Sequence, residues 1–202
     1  MHHSAQLKPI IPNWSSLVSM ENQENLRALV GENAEEFTVP TSLLVEKSDF
    51  FRAACTKPWL EAKKRTVKLP EMDAEVFGQY LHWVYKATVA KPAQGDESDF
   101  DFQFTQWSSY ISPWIAADQL GDCNLRNATI DAMLGLCETL TIILDASSIN
   151  LAWENTTTGC TLRQLLLDCY ITQIEDFEHV EGRWADYDEG FLQELMVRLH
   201  GV

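Results

Sequence analysis

Five cysteines and five histidines have the widest chemical reach in this 202-residue chain. Cys55, Cys123, Cys137, Cys160 and Cys169 stand 68, 14, 23 and 9 residues apart. No two make the CxxC pair of a tetrahedral zinc site, and His2, His3, His82, His179 and His200 contain no HxxxH partner. The set reads as buried or idle thiols of a reducing compartment, holding no metal and no cofactor. Cys55 closes a short helix, where the dipole opposes a thiolate, so it reads as core. His82, between Leu81 and Trp83, reads as a helix-face histidine rather than a general base. The chain has no GxSxG, GxxxxGK[ST], HExxH or GxGxxG motif, so no enzymatic activity is expected.

Two further groups could bind rather than react. Lys63, Lys64 and Arg65, with Lys57 and Lys68, form the one basic cluster. It reads either as a solvated turn before a strand or as a contact for an acidic partner. Phe100, Phe102 and Phe104 alternate with polar residues inside the acidic stretch 91–106. That stretch reads as a mobile surface loop with partly buried aromatics, or alternatively as an edge strand or docking segment.

The charge balance narrows the partners. Thirty acidic against fifteen basic side chains give a net charge of -15. Phosphate backbones need clustered Lys and Arg, so nucleic acid is excluded. The asymmetry is pronounced: residues 1–90 hold 10 basic and 11 acidic residues, residues 91–202 hold 5 and 19. No apolar run is long enough for a transmembrane helix, and the first residues lack the pattern of a secretory signal. A cytoplasmic or nuclear location is therefore expected. The sequons at Asn127 and Asn155 should then stay unmodified.

The elements follow from periodicity. Residues 1–12 read as disordered, and Asn13 caps a short amphipathic helix with Trp14, Leu17 and Val18. Leu26–Val30 and Glu36–Val39 read as strands of a hairpin around the turn 31–34. Pro40 opens a helix through Leu43, Leu44 and Val45, and Ser48 caps a second with Phe50 and Phe51. Thr66–Leu69 alternates as a strand. Asp73 then caps the clearest helix, with Val76, Phe77, Tyr80, Leu81 and Val84 on one stripe. Gly121-Asp122 stops a helix, and Asn124 caps the next. Helices over Leu162–Ile171 and around Leu195 follow, joined by an acidic linker at 175–189. The fold class is α+β, with helices dominant.

Four segments in order resemble one family. FTVPTSLLVEKSDFFRAAC (37–55), VKLPEMDAEVFGQYLHWVYKATV (67–89), WIAADQLGDCNLRNATIDAML (114–134) and AWENTTTGCTLRQLLLDCYI (152–171) resemble a BTB/POZ domain. The last is similar to the helical C-terminal extension of filamentous-fungal members. The resemblance implies a small β-sheet with a cluster of α-helices, and an organisation into a leader (1–22), a BTB/POZ-like domain (23–140) and a helical extension (141–202). It implies a protein-interaction module that forms a homodimer through Trp14, Leu17, Val18, Leu43 and Leu44. It also implies a partner-binding face with Phe77, Tyr80, Tyr85, Phe100 and Phe102, engaging a cullin-type ubiquitin ligase scaffold on behalf of an unidentified protein substrate. The alternative is a structural or competitor protein that self-associates and recruits no ligase. Family members carry Asp where Asn25 stands, and His followed by Lys or Arg where Pro40 and Thr41 stand. The charged pocket linked to co-repressor binding in transcription-factor members cannot form from these residues.

Overall fold

A computed structural model describes residues 24–56, 65–91, 100–139, 144–176 and 184–200. The leader residues Trp14, Leu17 and Val18 and the lysines Lys57, Lys63 and Lys64 lie outside the described residues.

Strand β1 (Asn25–Val30) pairs antiparallel with β2 (Glu35–Pro40), from Asn25 opposite Pro40 to Val30 opposite Glu35. The period of two puts Leu26, Ala28 and Val30 inside and leaves Arg27 outside. Arg27 there makes a two-pronged pair with Glu36 at 2.8 and 2.7 Å. Strand β3 (Thr66–Leu69) lies parallel on the other side of β1, giving the order β2-β1-β3. A parallel neighbour requires a crossover, and helices α1 (Thr41–Lys47) and α2 (Asp49–Thr56) lie within it.

Helix α3 (Ala74–Lys86) starts as the sequence dictates: Asp73 accepts from the Glu75 and Val76 amides at 2.8 and 3.1 Å. It ends at Ala87, in the left-handed region at φ 52°. Helices α4 (Phe100–Leu120), α5 (Cys123–Thr139), α6 (Ala146–Asn155), α7 (Thr161–Asp176) and α8 (Glu189–His200) follow, with a 3-10 turn at Trp184–Asp186.

Residues 100–106 are helical rather than a loop or an edge strand. The reason is visible in the spacing: positions 100, 104, 107, 111 and 114 continue one helical stripe, which outweighs the local alternation of three phenylalanines. The cap of α5 is Asp122, whose Oδ1 accepts from the Leu125 amide at 3.0 Å; Asn124 lies already inside the helix.

Two hydrophobic cores form. The first joins Leu26, Val30 and Val67 of the sheet to Leu44, Phe51, Phe77 and Leu125 of the helices. Phe77 is its centre, with Phe37, Tyr80 and Phe51 rings at 5.1, 6.0 and 6.4 Å. The second joins Trp107 and Trp114 of α4 and Met133 of α5 to α6, α7 and α8 through Trp153, Tyr170 and Phe191. Helix α4 is shared: Trp107 to Ile115 feed the second core, while Ala116, Ala117 and Leu120 feed the first.

The cysteines depart from the idle-thiol expectation. Cys137 of α5 and Cys169 of α7 form a disulfide, leaving Cys55, Cys123 and Cys160 free.

Candidate interaction surfaces

Helix α1 carries the described part of the expected dimer face. Leu44 is fully buried in the first core and presents no surface to a partner. Leu43, about 100° away around the helix axis, is half-buried and packs on the rim of that core. Val45 is also half-buried, and Ser42 and Glu46 are exposed. Leu43 and Val45 are about 200° apart on the helix, so the apolar surface α1 can offer another chain from the expected dimer face is Leu43.

Asn25, Pro40 and Thr41, the three positions set apart in the sequence, come together here without charge. Asn25 and Pro40 are opposed across the β1–β2 ladder, and the Thr41 amide donates to the Glu24 carbonyl at 2.9 Å. Asn25 is exposed, Pro40 buried and Thr41 half-buried.

On α3, Phe77 and Tyr80 are fully buried and act as packing rather than as a binding face. Tyr85 is half-buried on the rim of the first core, and burial raises its phenol pKa. His82 is half-buried, its Nε2 3.5 Å from the Thr88 hydroxyl. Positions 100 and 102 both fall in the first turn of α4. Two residues apart on a helix means about 200° of rotation, so they do not share a face as they would on a strand.

A buried polar cluster, which sequence periodicity does not disclose, fixes the helices behind this face. Ser48, fully buried, caps α2 by accepting from the Phe51 amide at 3.1 Å and donates to the Leu120 carbonyl at 2.5 Å. Asp122, fully buried, accepts the Trp83 indole N–H at 3.0 Å while capping α5. The Tyr80 phenol lies beside both, and burial, then the Asp122 charge, hold its pKa well above the usual range. Gly121, at φ 66°, permits this closeness: a Cβ there would stand 3.1 Å from Asp49 Cβ. Four elements (α2, α3, α4 and α5) are thereby tied at one point.

The remaining surface has few special features. A cleft of about 390 Å³ opens between the β1–β2 turn and the start of α3, with Glu32, Glu35, Glu71 and Asp73 on its walls. Asp73 is already engaged in capping α3. Arg65 pairs with Glu24 at 2.5 Å, so at least this member of the basic cluster has an intramolecular partner. Cys55 is half-buried against the first core, and burial pushes its thiol pKa up. Met196, Val197 and Leu199 are exposed on the last turns of α8. Among the described residues, no His, Cys, Asp or Glu group is arranged to hold a metal ion, and no helix is long and apolar enough to cross a membrane.

A mixed three-stranded sheet with the α1–α2 pair in its crossover, continued by packed helices, is an α+β architecture. Residues 25–100 match the family model of the BTB/POZ domain, and the chain carries a BTB/POZ domain. Helices α4 to α8 continue beyond it. No curated protein matches the chain.

Proposed function

We propose that the chain is a non-enzymatic, self-associating BTB/POZ protein that works as an adaptor for a cullin-type ubiquitin ligase, with the helical region after the domain taking up the protein substrate. The observation that carries this reading is the BTB/POZ match at residues 25–100, since BTB/POZ domains bind copies of themselves and other proteins. The half-buried Leu43 of α1, with Trp14, Leu17 and Val18 of the leader, is the surface proposed for the two-fold contact. Tyr85 and the start of α4, with Phe100 and Phe102, are the region proposed for the second partner. The proposed division is a leader at 1–22, a domain at 23–140 and an extension at 141–202, and the proposed location is cytoplasmic or nuclear.

One observation favours a second reading. The opposed positions Asn25 and Pro40, with Thr41 next to them, are neutral. The second reading is a scaffold or competitor that self-associates without recruiting a ligase and without the charged pocket that the resemblance links to co-repressor binding. The two readings separate when a cullin N-terminal domain is added to the purified protein and the molar mass is followed by light scattering. A heavier complex supports the adaptor; an unchanged dimer supports the scaffold and removes the adaptor.

A further inference from the structure

The Cys137–Cys169 disulfide closes a loop with a sequence separation of 32, at a Cα–Cα distance of 6.5 Å, and that loop contains the whole of α6. We infer that this pair is a reversible redox latch, which fastens the helices of the second core to the helix that roots them in the BTB/POZ core.

Helix α5 belongs to both cores: Leu125 and Ala128 pack in the first, Met133, Leu136 and Cys137 in the second. Helix α7 packs in the second core alone, through Leu162, Leu166 and Tyr170. Noncovalent contact between α5 and α7 is slight beside the contact of α5 with α4. The disulfide is therefore the strongest direct tie between them. It is also reachable: Cys137 is half-buried in the last turn of α5, whereas Cys169 is 8% exposed. An external thiol meets Cys137 first. Cys160 cannot substitute, because it immediately precedes α7, nine residues before Cys169 and about 13 Å from it by helical rise.

The chemistry is thiol–disulfide exchange with a small disulfide such as oxidised glutathione. The Cys137 thiolate attacks one glutathione sulfur, and the first reduced glutathione leaves. The Cys169 thiolate then displaces the second, closing the protein disulfide. Two protein thiols lose two protons and two electrons, and one glutathione disulfide gains them as two thiols. Reduction runs the same steps backwards. Opening the latch restores the freedom of a loop of about 30 residues in the unfolded chain and loosens α6 to α8 from α5.

The full chain, equilibrated in buffers of graded reduced-to-oxidised glutathione ratio, would be quenched with a maleimide-polyethylene glycol and digested for mass spectrometry. The expected result is three free thiols and a cross-linked 137–169 peptide at oxidising ratios, passing to five free thiols at reducing ones. Dithiothreitol should lower the melting temperature of the oxidised protein by about 10 °C and hasten proteolysis within α6 to α8. Cys169→Ser should melt at the reduced protein's temperature with or without dithiothreitol; should that variant not fold, the wild-type comparison stands alone. Five free thiols at every ratio would overturn the inference. So would a disulfide that survives the most reducing ratio, or one whose reduction changes neither melting nor proteolysis.

Discussion

Arg163 should be among the most destabilising positions to truncate, and the expected loss can be worked from its contacts. It is 7% exposed, inside the second core's polar edge. Its Nε donates to the Thr156 hydroxyl at 2.9 Å, and Nη1 to Glu194 Oε1 at 2.8 Å. Nη2 donates to the carbonyls of Trp153 and Thr156 at 2.8 and 2.5 Å. The guanidinium also lies 5.0 Å from the Trp153 ring centroid. One planar fork thus holds the end of α6 and the start of α7 against α8. Arg163→Ala leaves Glu194, whose side chain is 22% exposed, with only the Trp153 indole N–H at 3.2 Å in place of the guanidinium, and strands two carbonyls. Breaking a buried pair by removing one partner costs about 3–5 kcal/mol. Glu194 retains some water, so the low end applies to the ion pair, and the stranded carbonyls bring the total back to about 4 kcal/mol. For a chain of this size that is a fall of about 8–16 °C in melting temperature. Arg163→Lys keeps the charge but loses the fork, and should cost about half as much. Urea unfolding with hydrogen exchange on α6 to α8 reads both. A cost below about 1 kcal/mol for Arg163→Ala would refute the argument that this fork clamps the three helices.

Leu44→Glu should give insoluble or unfolded protein, because it places a carboxylate in the first core, whereas Leu43→Glu should give a folded monomer; circular dichroism and light scattering on the two variants distinguish folding from association. Asp122→Ala removes the cap of α5 and leaves the Trp83 indole N–H buried without its acceptor, for a loss of about 2–4 kcal/mol in chemical denaturation. Alkali should also destabilise the protein. Burial, followed by the neighbouring Asp122 and Tyr187 groups respectively, raises the pKa values of Tyr80 and Tyr170 well above that of an unfolded tyrosine. The unfolded chain releases these protons first, so the stability present below about pH 10 falls as pH rises, by about 1.4 kcal/mol per unit for each phenol. Melting followed with phenolate absorbance from pH 9 to 12 checks this; a flat profile would contradict it.

The parts of the fold legible in the sequence are those written locally. The hairpin shows because Leu26, Ala28 and Val30 alternate and the turn follows at once. Helix α3 shows because its cap and its stripe lie within one stretch, and Phe77, Tyr80, Leu81 and Val84 are buried as their spacing requires. Choices decided by a register of one or two residues were less legible. Leu43 and Leu44 are equally apolar neighbours, and only the start of α1 decides which faces the core. Asp122 and Asn124 are both good caps, and α5 begins after the one that also meets Trp83. Phe100, Phe102 and Phe104 fit a strand locally and a helix only when Trp107, Ile111 and Trp114 are counted with them. Contacts between distant residues were not legible at all. Ser48 with Leu120, Arg163 with Glu194 and Cys137 with Cys169 are separated by 72, 31 and 32 residues. No local pattern encodes such meetings, and five cysteines admit many pairings.

The proposed function has this chain, which carries a BTB/POZ domain, self-associating through helix α1 and the leader. Size-exclusion light scattering of the purified chain tests it most directly. About twice the 23.0 kDa chain mass is expected for the wild type, and a single chain's mass for Leu43→Glu. A wild-type protein that stays at one chain's mass across micromolar concentrations would contradict it.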